Sequence, residues 1–186
     1  MYDRNNESGE IQMIICKDNF LEEHISQLID EYVHNGTFSW HWHYKANKEE
    51  PDRHWHTLAG HDIEEMTKNG FDYLIPLWES IQNLPDVPKT KIVRCYFNAH
   101  TPGVEPSIHQ DDGEMTYIYY PNLNWHLSYG GGTTVYDKDL SQGTLLNYKG
   151  NRLIGFTASN WHQAMPVTKK CFLLRTCIVF KTERIQ

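Results

Sequence analysis

Cys171-Phe172-Leu173-Leu174-Arg175-Thr176-Cys177-Ile178-Val179-Phe180-Lys181 is the stretch whose reading decides the fold. Its apolar, β-branched and aromatic content reads as a strand. Similar runs precede it at residues 91–98, 116–120, 133–136, 143–148 and 152–157, with glycine and proline punctuating them. Helical spacing is confined to the N-terminal half. Helices followed by many short strands, rather than alternating βαβ units, predict a mainly β, α+β architecture. The expected form is a sheet-on-sheet sandwich or barrel with helices packed on one outer face.

Upstream, residues 11–16 read as a short strand and Asp18 as a cap for the helix that follows. Leu21, Ile25, Leu28, Ile29 and Tyr32 recur at helical spacing over residues 20–32, and Gly36 lies just past the end. Residues 38–44 alternate Trp40, Trp42 and Tyr44 with His41 and His43, predicting a strand with one aromatic and one histidine face. Residues 45–62 read as a polar loop. A second helix is expected over residues 71–81, with Leu74, Leu77, Trp78 and Ile81 on its apolar stripe. Pro76 must sit in its first turn or kink it.

A length of 186 residues fits one domain, 1–186, with 39% hydrophobic and 22% charged residues, the balance of a globular protein. Residues 1–10 are polar and expected to be flexible. A net charge of −7 disfavours extended contact with nucleic-acid phosphates. No stretch approaches the roughly 20 apolar residues that cross a bilayer, and the N-terminus lacks an apolar signal core, so a cytoplasmic location is expected, or the host cytoplasm if the gene is phage-borne. Cys16, Cys95, Cys171 and Cys177 are scattered singly and read as buried free thiols.

His109-Gln110-Asp111 places two metal-ligand types one residue apart, on one face of an extended chain. His162, in Asn160-Trp161-His162, offers a third donor. Two imidazoles and one carboxylate on one side of a metal leave coordination positions open opposite them, as in non-haem iron(II) sites. Alternation turns Asp112 away, and His100 and His126 lack the spacing and read as loop or surface histidines. An isolated H-x-D triplet is a weak signal; Arg175 strengthens it. A guanidinium inside an apolar strand is costly unless it meets an anion, and a dicarboxylate would provide one in bidentate geometry. Pairing with an internal Asp or Glu is the other reading.

The ordered set Arg94-Cys95-Tyr96-Phe97, His109-Gln110-Asp111, Tyr117-Ile118-Tyr119-Tyr120-Pro121-Asn122-Leu123-Asn124-Trp125, Gly130-Gly131-Gly132, Trp161-His162-Gln163-Ala164-Met165-Pro166 and Leu174-Arg175-Thr176 resembles the prolyl 4-hydroxylase-like branch of the iron(II)/2-oxoglutarate dioxygenases, including small bacterial and phage members. The resemblance implies a double-stranded β-helix, or jelly roll, with residues 91–181 as its catalytic core. It implies iron(II) on His109, Asp111 and His162, and Arg175 on the distal carboxylate of 2-oxoglutarate. Lys169 and Lys170 are alternatives, though strand parity with Arg175 turns Lys170 outward. Tyr96 and Tyr120 match co-substrate tyrosines, with core packing as their other reading. The glycines match a turn that structural punctuation also explains.

The implied reaction consumes 2-oxoglutarate and dioxygen, with ascorbate as a conceivable accessory reductant. It releases succinate and carbon dioxide and hydroxylates a C–H bond, first of all on a prolyl or other residue of a peptide or protein. In this family upstream segments line the substrate entrance, which implicates Trp42, His43 and Trp55. The alternatives are the same chemistry on a small metabolite or nucleobase, a non-catalytic metal-binding jelly-roll module, and a separate zinc site on His41, His43, His54 and His56.

Overall fold

The computed structural model describes residues 13–35, 38–44, 53–85 and 87–185. The expectations for residues 1–10, for Gly36 and for residues 45–52 of the expected 45–62 loop fall outside them. Within them the chain runs β1 (Ile14–Asp18), α1 (Glu23–His34), β2 (His41–Tyr44), β3 (Arg53–Gly60), α2 (Ile63–Lys68), a 3-10 turn (Asp72–Leu74) and α3 (Ile75–Gln82). It continues as β4 (Thr90–His100), β5 (Met115–Tyr120), β6 (Thr133–Tyr136), β7 (Gly143–Leu146), β8 (Arg152–Thr157), β9 (His162–Ala164) and β10 (Arg175–Arg184).

These strands form a seven-stranded sheet in the order β1-β8-β5-β10-β4-β3-β2 and a three-stranded sheet in the order β7-β6-β9. Every pairing is antiparallel. Alternation gives the large sheet two faces. Cys95, Phe97, Tyr117, Tyr119, Ile178 and Phe180 point to the helix side, where they pack with Ile29, Leu77, Trp78 and Ile81. Tyr96, Ile118, Tyr120, Ile154, Phe156, Cys177 and Val179 point the other way and meet Val135 and Leu146 of the small sheet. The mainly β jelly roll with helices on one outer face is thus the observed fold.

Pro76 falls in the first turn of α3, where its missing N–H has no intrahelical partner to lose. Helix α1 starts at Glu23 without a side-chain cap. Asp18 does not cap it but pairs with Arg152 at 2.5 Å and Lys149 at 2.9 Å. The expected loop at 45–62 contains β3, which pairs with β2 in the register His41↔His56, Trp42↔Trp55 and His43↔His54. Its alternating residues are histidine and tryptophan rather than aliphatic, so it reads as polar. After it comes α2, missed for its brevity and capped by Asp62, whose carboxylate accepts from the Glu65 N–H at 2.8 Å. Strand β10 starts at Arg175, so the parity argument against Lys170 has no strand to rest on; Lys169 and Lys170 are simply exposed.

Candidate metal centre

His109 and His162 face each other across an isolated antiparallel bridge. The His109 N–H donates to the His162 carbonyl at 3.0 Å, and the His162 N–H returns the bond at 2.8 Å. Directly opposed residues in such a pair project to one side, and Asp111, two residues on, projects there too. The Asp111 N–H is fixed on the Ala158 carbonyl at 2.9 Å. The H-x-D segment is therefore held by β9 and the turn before it, although it lies outside the named strands.

Both imidazoles are oriented in the same way. Nδ1 of His109 donates to the Ser107 carbonyl at 3.0 Å and Nδ1 of His162 to the Asn160 carbonyl at 3.0 Å, each two residues upstream. That tautomer leaves both Nε2 lone pairs free to ligate a metal, the usual role of a backbone acceptor behind a ligating histidine. His109 Nε2 lies 3.8 Å from Asp111 Oδ1, and His162 Nε2 lies 3.5 Å from Asp111 Oδ2. The three donor atoms all lie within 4.8 Å of one another, and among the described residues no other such group occurs. Burial lowers His162 to about 4, against the attraction of Asp111, so its ring is neutral near pH 7.

Two neighbours fix the carboxylate. Lys181 Nζ sits 2.6 Å from Asp111 Oδ1, and the Thr116 hydroxyl donates to Oδ2 at 2.8 Å. Burial would raise the Asp111 pKa, but His162, Lys181 and the two hydrogen bonds outweigh it and hold the carboxyl below its ordinary value. Lys181 was not expected here. Its signal was present in the sequence: six residues after Arg175 on one strand, it shares that arginine's face.

Arg175 is only 1% exposed. Its Nε donates to the Gly131 carbonyl at 2.6 Å, and the guanidinium lies 5.7 Å from the Tyr120 ring and 5.6 Å from the Tyr148 ring. Gly131 is at φ 75, and a Cβ there would come within 3.2 Å of the Arg175 side chain, so this turn needs glycine for more than punctuation. Among the described residues no carboxylate pairs with Arg175. It opens instead into the recess lined by His109, Asp111, His162, Thr133 and Tyr96. The internal-pairing reading is therefore set aside.

The two tyrosines differ. Tyr96 lines the recess, whereas Tyr120 lies behind Arg175 with its hydroxyl on Thr133 Oγ1 at 2.7 Å. Tyr120 backs the cation. It is not among the residues lining the recess, and Tyr148, which had no sequence signal, stacks on it at 4.2 Å.

The recess opens into an outer cavity of about 420 Å³ lined by His43, His54, His56, Arg94, Asn98 and Lys181, among others. Of the three residues implicated in the substrate entrance, His43 lines this cavity, whereas Trp42 and Trp55 do not. They pair with each other at 5.0 Å on the opposite face of the β2–β3 hairpin. His100 is buried at the end of β4 and lines both spaces, rather than lying on a surface loop. The rings of His43, His54 and His56 lie 4.9 to 6.0 Å apart, yet their donor atoms do not converge as the triad's do, which disfavours a separate zinc site. His56 Nδ1 donates to Asn98 Oδ1 at 2.9 Å. Burial lowers the His56 pKa despite that bond, and the nearby His54, His43 and Arg94 push it the same way. No helix among the described residues is long and apolar enough to cross a membrane.

Residues 91–180 match the family model described as the 2OG-Fe(II) oxygenase superfamily. No curated protein matches the chain in sequence. Among solved structures, a prolyl-4-hydroxylase from Pseudomonas putida is similar with a TM-score of 0.67 and 14% identity, covering 94% of this chain and 94% of that one. A prolyl hydroxylase from Trichoplax adhaerens, in complex with a hypoxia inducible factor oxygen degradation domain peptide, has a TM-score of 0.62 and 18% identity over 91% of this chain and 83% of its own. The non-heme alpha ketoglutarate dependent epimerase SnoN from nogalamycin biosynthesis reaches 0.60 and 10%, covering 91% and 78%. At such identities the likeness establishes the jelly roll and nothing finer. The family likeness rests on residues 91–180, just under half of the chain, which match the model described as the 2OG-Fe(II) oxygenase superfamily.

Proposed function

We propose that His109, Asp111 and His162 hold iron(II), that Arg175 grips the distal carboxylate of 2-oxoglutarate, and that the protein hydroxylates a C–H bond of a peptide, with a prolyl residue as the first substrate to try. The observation that carries this reading is a buried guanidinium that has no carboxylate partner among the described residues and shares one recess with two imidazoles and an aspartate. A metal that served structure alone would have no use for that cation.

The donor set suits the metal: two imidazole nitrogens and one carboxylate on one side, with the recess on the other. Iron(II) with 2-oxoglutarate and dioxygen supplies the oxidising power, and the keto acid leaves as succinate and carbon dioxide. The chain's own residues do the positioning. Backbone carbonyls lock the imidazole tautomers, Lys181 and Thr116 hold the carboxylate, and Tyr120 and Tyr148 seat Arg175. Ile118, Cys177 and Val179 give the recess apolar walls, which keep water from a reactive centre. The outer cavity is polar and lies beside the edge strand β2, so its imidazoles and Asn98 can hydrogen-bond to the backbone of an extended peptide.

The test is mass spectrometry on proline-containing peptides, ribosomal proteins and nucleotides incubated with enzyme, iron(II) and 2-oxoglutarate. An added oxygen on a peptide, matched by succinate, is the expected result. Oxygen gained only by nucleotides would move the substrate to another class, and substrate-independent silence with no succinate would reject an active oxygenase.

A further inference from the structure

The outer cavity holds a second cation that the chemistry at the metal leaves unused. Arg94 lies on β4, two residues before Tyr96 and on the same inner face. Its Nε is shut off from solvent with no acceptor. Among the described residues its side chain has no ion pair and no hydrogen bond; the guanidinium carbon lies 5.1 Å from the Tyr96 ring. A guanidinium lying over a ring keeps its in-plane N–H groups for an oxygen acceptor.

Its surroundings limit what that acceptor can be. Lys181 stands directly opposite Arg94 across the β4–β10 pair and is already joined to Asp111 at 2.6 Å. Asp112 lines the same cavity but is exposed and pairs with no cation among the described residues. Among the described residues one unpaired positive charge therefore faces the cavity, within a cross-strand neighbour's reach of the metal ligands, in a chain whose net charge is −7. A chain of that sign does not attract anions in general, so a cation left open here selects one locally. A single guanidinium matches a singly charged carboxylate in bidentate geometry.

We propose that Arg94 is a specificity residue that recognises a carboxylate on the substrate, close to the carbon that is oxidised. On the peptide reading given above, on which this inference rests for its substrate class, the carboxylate is an Asp or Glu side chain adjacent to the target residue. A free carboxylic acid presents the same group from a different source.

The experiment uses the full chain loaded anaerobically with iron(II) and 2-oxoglutarate. Its probes are two proline peptides identical except for Glu or Gln beside the proline, a third with Lys there, and a panel of small monocarboxylic acids with their amides. Binding is read by perturbation of the metal band and turnover by succinate. The Glu peptide should bind about tenfold more tightly than the Gln peptide. Arg94→Gln should bring that ratio to about one, and Arg94→Glu should transfer the preference to the Lys peptide, which a merely structural role would not do. Equal binding of the Glu and Gln peptides by the wild-type protein, or an undiminished ratio in Arg94→Gln, overturns the proposal. If no peptide binds but small acids do, in an Arg94-dependent way, the role of Arg94 stands and the peptide reading falls. If neither peptides nor acids bind in preference to their neutral forms, the carboxylate reading itself falls.

Discussion

The two faces of strands β4 and β10 carry opposite chemistry on the same backbone. Toward the helices, Cys95, Phe97, Ile178 and Phe180 are essentially sealed from solvent and make up the centre of the larger core. Toward the small sheet, Arg94, Tyr96, Asn98, His100, Arg175 and Lys181 line the recess or the outer cavity. Strand alternation separates the two jobs residue by residue. The helix face contributes stability, and its rigidity is what lets the other face hold three cations, Arg94, Arg175 and Lys181, in fixed places beside the Asp111 carboxylate. Substitutions on the two faces should accordingly fail in different assays.

The sharpest break is expected at the metal. His109→Ala should abolish the weak visible band that iron(II) and 2-oxoglutarate give together without oxygen, while thermal unfolding shifts little, because this imidazole is 42% exposed. A band of unchanged intensity would reject His109 as a ligand. The opposite pattern is expected at Phe180, which is fully buried and stacks on Trp78 at 5.5 Å. Phe180→Ala should cost about 3–5 kcal/mol by chemical denaturation. Below the new melting temperature, 2-oxoglutarate should bind with its former affinity. If the stability loss is small and the affinity collapses, the division between faces is wrong.

Arg175→Gln tests the inner face more finely. Loss of a charge-assisted bidentate contact should weaken 2-oxoglutarate by roughly 10- to 100-fold, with the affinity for iron(II) alone changed far less. Equal losses for metal and co-substrate would mean that Arg175 supports the site only by packing.

What was legible in the sequence follows the same division. Most strands of the 91–181 region stand out because their helix-side residues are apolar and their turns carry glycine or proline; β6 and β8 match their expected bounds, β4, β5, β7 and β10 fall within four residues of theirs, and the three-residue β9 was not expected. The candidate metal donors are legible as residue types, and Arg175 as a charge out of place. The polar inner face beyond them is not. Lys181 and Arg94 sit in strands where a cation reads as solvated, and only parity with Arg175 and with Tyr96 points them inward. Strand β3 was hidden because its inward residues, His54 and His56, serve the cavity rather than a core. The glycine turn could be located, but its role as acceptor for Arg175 depends on a contact 44 residues away along the chain.

The smallest expected effect concerns the tryptophans of the β2–β3 hairpin. Trp42 and His43 are adjacent on one strand, so they cannot both face the substrate entrance, a point that alternation alone makes. The hairpin resolves it in favour of the histidine: His43 lines the cavity, while Trp42 packs edge-on against Trp55 on the other side and stays 49% exposed. Trp42→Ala should therefore remove an aromatic pair worth about 1 kcal/mol of stability. It should leave the KM for a turned-over peptide within the scatter of the measurement. His43→Ala should do the reverse, raising that KM with little change in unfolding. If Trp42→Ala raises the KM as much as His43→Ala, then peptide reaches across the hairpin edge to its outer face, and the entrance must be drawn to include the edge of β2 itself.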